Sequence, residues 1–316
     1  MKDVDTRYGV LKGVSYLDRY QDGALRNCVL TEYQELLTTV GVLVPLFQDN
    51  EVRRKTGKPV VFHPNGLLKN LPLQEQKIIP TPLGSLPAEH LTFYEDGSLH
   101  RIFPRDGKIS GYWTEEDEGK IAYEMEFRFS WGSFKSRIIG IQFYPEGSLK
   151  SITLWPGEVV SIKSPLGPID VRTGLSFYPD GQLKSLELAR PTPIQTPIGQ
   201  IFAYDCQSIG INGDDNSLCF SEEGVLISLV TTTNQIKVQG HSDEYHFAPG
   251  FKPNLFNPEA LDPIPLKIRF ADNKVMFYQD GVQEFDIQEY SFSIESLKLS
   301  ANCSSCSSCD GCGILV

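Results

Sequence analysis

The chain repeats one short phrase about seven times, and that phrase constrains the fold more than any single residue does. One copy reads Leu175-Ser176-Phe177-Tyr178-Pro179-Asp180-Gly181-Gln182-Leu183-Lys184-Ser185-Leu186-Glu187-Leu188. The others centre on Gly23, Gly66, Gly97, Gly147, Gly224 and, more weakly, Gly281. Six positions before the glycine stands Leu17, Val60, Leu91, Ile141, Leu175, Leu218 or Val275. Four before it stands a Phe in every copy but the first, which has Arg19. Positions two apart share one face of a strand. Asp22, Asn65, Asp96, Glu146, Asp180, Glu223 or Asp280 precedes the glycine, and three copies add Pro64, Pro145 or Pro179 one step earlier. Proline presets φ, the acidic or amide residue suits the next corner, and glycine takes φ > 0 without steric cost. Each copy reads as a β-hairpin with a type I turn closed by a glycine bulge.

The returning strand supports this. Leu25, Leu68, Leu99, Leu149, Leu183 and Leu226 stand at +2, and Cys28, Leu71, Ile102, Ile152, Leu186 and Leu229 at +5. That odd step demands a change of face or a bulge. The copy at Gly281 has Gln283, Asp286 and Gln288 along its returning strand and reads as a degenerate terminal unit. A second phrase follows the first: Thr81-Pro82-Leu83-Gly84, Ser164-Pro165-Leu166-Gly167, Thr196-Pro197-Ile198-Gly199 and the weaker Thr38-Thr39-Val40-Gly41. It reads as another turn and strand, so a full unit is two linked hairpins.

The hairpin phrase, as in Phe143-Tyr144-Pro145-Glu146-Gly147-Ser148-Leu149-Lys150-Ser151-Ile152, resembles the MORN-variant repeat. The resemblance spans the hairpins but neither the Thr-Pro-Leu-Gly element nor the C-terminal cysteines. It implies an elongated antiparallel sheet used as a binding surface or spacer.

The expected architecture is all-β: tandem hairpins in an elongated, twisted antiparallel meander, with a β-propeller as the alternative. Residues 1–248 form the array. The longest gap between its hairpins, about 105–126, carries one short helix, because Thr114 is an N-cap followed by acids. Glu115, Glu116, Asp117 and Glu118 read as its solvated start. Residues 249–300 read as a proline-rich linker plus the degenerate terminal β unit, and 301–316 as a cysteine-rich flexible tail.

Net charge is −11, which argues against nucleic acid and acidic membranes as partners, since both need basic surface. Arg26, Lys69, His100, Lys150 and Lys184, all at +3, read as solvated positions beside acidic turns. The first residues lack the apolar run of a signal peptide, no stretch has the length of a membrane span, and seven cysteines do not read as a secreted framework. The expected location is cytoplasmic.

The strongest chemical anomaly is Cys303, Cys306, Cys309 and Cys312, spaced C-x2-C-x2-C-x2-C. Thiolates are soft ligands, so zinc or an iron–sulfur cluster is the implied cofactor. His241-Ser242-Asp243-Glu244-Tyr245-His246 offers several ligand types but reads as a polar hairpin tip, and Gly213-Asp214-Asp215-Asn216 as a surface turn. His63 and His100 occupy repeat positions filled elsewhere by Tyr and Lys, so they read as scaffold. No nucleophile elbow, phosphate loop or zinc-protease motif occurs in the sequence. The leading function is therefore a non-catalytic scaffold or protein-binding module. The alternatives are a soft-metal or redox role in the tail, and an enzyme with its pocket at an insertion near 105–126 or 205–217.

Overall fold

The computed structural model describes residues 2–48, 52–54, 57–210, 213–214, 216–255, 257 and 261–297. The fold is all-β with one short α-helix, Glu115–Ile121. Contacts divide it into two units, Met1–Glu158 with Phe177–Gly181, and Val159–Ser176 with Gln182–Val316.

In the first unit, strands Lys2–Thr6, Gly9–Arg19, Leu25–Leu30, Val60–Phe62, Leu68–Thr81, Gly84–Phe93, Leu99–Phe103, Ile138–Phe143 and Leu149–Leu154 pair antiparallel, each with the next. Neighbouring hairpins share ladders, as in a meander; propeller blades would instead meet face to face. In the second unit, Leu183–Leu188, Leu218–Phe220, Leu226–Thr231, Leu266–Ala271, Lys274–Tyr278 and Val282–Asp286 pair in the same way.

The turn chemistry is the expected one. Gly97 N donates to Tyr94 O, Tyr94 N donates to Ser98 O, and the Gly97 φ of 86° lies in the left-handed region. Phe143 faces Leu149 while Gln142 faces Ser151, so Lys150 is the extra residue of a bulge. The same shift recurs at Arg19, Phe62, Phe93 and Phe220. The bulge explains the odd +2 to +5 step and puts −6, −4, +2 and +5 on one face. Leu71, Leu91, Ile102, Ile141 and Ile152 on that face are fully buried.

The +3 residue is pushed out by the bulge onto the −3 aromatic ring. Arg26 lies 5.9 Å from the Tyr20 ring centroid, Lys150 Nζ 5.6 Å from that of Tyr144, and the His100 and Tyr94 rings are 4.3 Å apart. Arg26 and Lys150 thus pack on aromatic faces, where they gain cation–π attraction.

The −3 residue also fastens one hairpin to the next. Ladders between hairpins stop one residue short of the −4 Phe, as at Asn27–Val61 and Arg101–Gln142. The Phe carbonyl then takes a side-chain donor. Tyr20 Oη donates to Phe62 O (2.8 Å), Tyr94 Oη to Phe143 O (2.8 Å) and Tyr144 Oη to Phe177 O (3.0 Å). His63 Nε2 takes the same place on Phe93 O at 3.0 Å, so this histidine is a scaffold residue. Replacing Tyr94 by Phe is expected to cost about 1 kcal/mol in urea denaturation, the net worth of one such bond. A change below about 0.3 kcal/mol would show that the bond contributes nothing.

The second hairpins fold back over the apolar face. Register breaks between Pro72 and Lys77, where the long strand leaves the first hairpin for the second. A Thr or Ser hydroxyl locks each turn: Thr81 Oγ1 donates to Gly84 O (2.8 Å) and accepts from Leu83 N (3.2 Å). Thr38, Ser164 and Thr196 repeat both bonds. Thr6-Arg7-Tyr8-Gly9 does so too, an additional copy that the Thr-x-x-Gly spacing could have revealed. A sixth turn, Phe129-Ser130-Trp131-Gly132, joins Met125–Phe129 to Gly132–Ser136 and uses stacked aromatics in place of the hydroxyl.

Five of these six turns meet the hairpin after the one that follows them; at the other, Gly199 lies against Ile294. Leu68 N donates to Tyr8 Oη (3.0 Å), Thr39 Oγ1 donates to Gly97 O (2.9 Å), and Pro82 lies against Gly147. Phe129 and Trp131 stack on Phe177, and Pro165 lies against Gly224 within the second unit. Two layers result, with the apolar face between them.

Residues Gly250–Pro253 and Leu261–Ile264, expected as a linker, pair as strands. Proline is tolerated there because the pair has only two strands, so each strand keeps an outer edge that needs no donor.

Candidate functional site

Folding the second hairpins back creates pockets between successive turns of the first unit. One, of about 380 Å³, lies among Thr6, Arg7, Leu25, Phe62 and Gly66, with Asp5 at its rim. The next, of about 340 Å³, lies among Thr38, Thr39, Leu68, Phe93 and Gly97, with Leu37 and Asp96 at its rim. These are one site in two successive repeats: a turn threonine, the +2 Leu of one hairpin, and the −4 Phe and glycine of the next. Arg7 lines both. Leu37 is 74% exposed, although its cross-strand partner Val42 is also apolar. A cleft of about 350 Å³ lies where Tyr33 and Phe47 meet edge to face beside Val42 and Leu73.

The 105–126 insertion holds a buried ionic cluster. Arg53 Nε and Nη2 reach Glu118 at 2.8 and 2.6 Å, and Nη2 reaches Glu89 at 2.5 Å. Arg105 Nη1 donates to Glu89 at 2.9 Å. Glu89 and Glu118 are each 3% exposed. The helix forms as expected, with a reciprocal capping box between Thr114 and Asp117. The expectation of a solvated start fails at Glu118, which turns inward and accepts from Trp113 Nε1, while Glu115 and Glu116 stay exposed and Asp117 is half-buried. The pattern that could have signalled it is Gly119, where a side chain would strike the Trp155 ring.

Beside the cluster, Asp106 takes Lys58 Nζ (2.7 Å), His90 Nδ1 (3.2 Å) and, at 3.6 Å, Arg54 Nη2. Burial pushes its pKa up, but His90 and Lys58 outweigh that and hold the carboxyl below its usual range. His90 Nε2 turns to Asn70. Every carboxylate here is matched by a cation or a backbone N–H. The arrangement fixes an insertion to a sheet and holds the Asp106 and Glu118 carboxyls below their usual range.

In the second unit, Glu187 is 1% exposed and accepts from Ser217 N (3.1 Å) and Ser217 Oγ (2.7 Å). Burial raises its pKa. Asn216, expected in a surface turn, is buried and donates to Ser185 Oγ at 2.9 Å. The 205–217 insertion is thus anchored through its polar residues.

Glu244 and His246 lie on a strand paired with Asn234–Gln239, and Glu244 bonds His246 and Lys237 at 2.8 Å each. Among the described residues, no group of three or more His, Cys, Asp or Glu is placed to hold a metal ion. Cys303, Cys306, Cys309 and Cys312 lie outside the described residues. No helix among the described residues is long and apolar enough to cross a membrane.

No family model matches the chain, and no curated protein does. One solved structure with limited likeness is a crystal structure of TcdB2-TccC3-TEV, at 9% identity and a TM-score of 0.12. That likeness covers 86% of this chain and 12% of the other, so this chain spans about an eighth of its length.

Proposed function

We propose that the chain is a non-catalytic, MORN-variant-like repeat scaffold that binds a protein partner in the cytoplasm. The observation that carries this is the recurrence of one Phe-floored pocket at equivalent places in successive repeats. A pocket required only by core formation would be filled by the repeat's own side chains. Here Leu37 stands exposed at the rim instead. Recurring shallow pockets along an array suit an extended partner better than a small substrate. The test compares native protein with Leu37→Asp in pull-downs from native extract. A partner retained by the native protein and lost by the variant, with unchanged thermal melting, supports the reading. A monomer that retains nothing specific contradicts it.

The four-cysteine spacing favours a second reading, a soft-metal or iron–sulfur role of the tail. Anaerobic purification should then give zinc or iron that disappears on deleting residues 301–316. Equal metal content with and without them would sink that reading.

A further inference from the structure

The turn edge of the first unit has a charge and a pitch that specify its occupant. Asp5 and Asp96 stand at the rims of the two pockets, and Asp22, Glu95 and Glu146 are exposed on the turns of the same meander. Asp96 is held ionised by hydrogen bonds from Ser98 Oγ and N. Against these stand Arg7, which lines both pockets, Arg19, whose Nη1 donates to Gly23 O, and the +3 bases Arg26, Lys69 and Lys150, of which Arg26 is paired with Asp18. Strands lie about 4.8 Å apart, so successive hairpin turns and the pockets between them recur about every 10 Å. A polypeptide in the polyproline II conformation advances about 3.1 Å per residue and presents the same face every third residue, a repeat of about 9.3 Å. Strand-like chains repeat every second residue, at about 6.6 Å, and would fall out of step after one pocket.

We infer that this edge binds an extended, basic protein segment in which an apolar residue and a Lys or Arg each recur every third position. The apolar side chains enter the pockets over Phe62 and Phe93. The cations meet Asp22, Asp96 and Glu146. Net charge of −11 favours such a partner at long range as well. This inference rests on the protein-binding reading and adds the partner's chemistry and period.

The test uses the full chain and two twelve-residue fluorescent peptides of the same composition. One is (Lys-Pro-Leu)4; in the other the same residues are permuted so that no three-residue period remains. Anisotropy titration at physiological salt should show the periodic peptide binding at least tenfold more tightly. The combined variant Asp22→Asn, Asp96→Asn, Glu146→Gln should lose that preference while melting unchanged, since the amides still accept the turn hydrogen bonds. Arg7→Ala should tighten binding severalfold. Equal binding of both peptides overturns the inference as a mere polyanion effect, and equal binding of native and combined variant overturns it by showing that the turn carboxylates take no part. Absence of binding overturns it too. If either happens while a partner is still lost with Leu37→Asp, the protein-binding reading survives and only the chemistry and period assigned to the partner fall.

Discussion

Glu118→Ala is expected to destabilise the first unit by about 3–5 kcal/mol, the cost of breaking a buried ion pair from one side. The loss is large because Glu118 also accepts from Trp113 Nε1 (2.5 Å) and Gly107 N (2.9 Å). Those donors and part of the Arg53 guanidinium would lie buried without partners. Glu116→Ala, on the exposed face of the same helix turn, should change stability by less than about 0.5 kcal/mol. Urea denaturation of both variants measures the contrast, and hydrogen exchange across residues 104–121 shows whether the insertion opens locally. Acid provides an independent check. Burial pushes the Glu118 pKa up, but Arg53 and Trp113 outweigh it and bring it below 4.5. A depressed folded pKa gives stability that is present above the unfolded value and lost as pH falls through the folded one. Native protein should therefore lose more stability below about pH 4.3 than Glu118→Gln does. Parallel pH profiles would show that the pairing is not electrostatic.

Phe177→Ala is expected to cost about 3–5 kcal/mol, as for a fully buried aromatic. Phe177 is 0% exposed and stacks on Phe129 (5.3 Å between centroids) and Trp131 (6.2 Å). Removing the ring leaves a cavity beneath the Phe129–Gly132 turn and strips its main apolar support. Denaturant titration should show a lower midpoint with an unchanged slope. Near-ultraviolet dichroism should report altered packing of Trp131. A loss under 1 kcal/mol would mean that the turn does not depend on Phe177.

Much of this architecture was legible because the repeat encodes local geometry. The −6 and −4 apolar pair, the acid-glycine corner and the odd +2 to +5 step specify a bulged hairpin from neighbours in sequence alone. Thr114 and Asp117 likewise declare a helix start without tertiary help. What could not be read is what depends on contacts across the fold. Arg53, Glu89 and Glu118 meet from three distant segments, and the one local signal that sets Glu118 apart from its neighbours is the adjacent Gly119. The −3 tyrosine reads as generic strand aromatic until Tyr94 Oη is seen on Phe143 O. The pockets arise only because second hairpins fold over the first, which the Thr-x-x-Gly phrase does not itself state. The turn at Gly132 has Phe129 where its sisters carry a Thr or Ser hydroxyl, so it passes unnoticed just beyond the insertion.

The proposed partner binds at the recurring pockets of the turn edge. The most direct measurement places a photo-crosslinking amino acid at Leu37 in one sample and at Tyr112, 89% exposed in the insertion, in another. Irradiation in native extract is predicted to give one discrete protein adduct from position 37 and none of that mass from position 112. The same adduct from both positions, or from position 112 alone, would contradict the account.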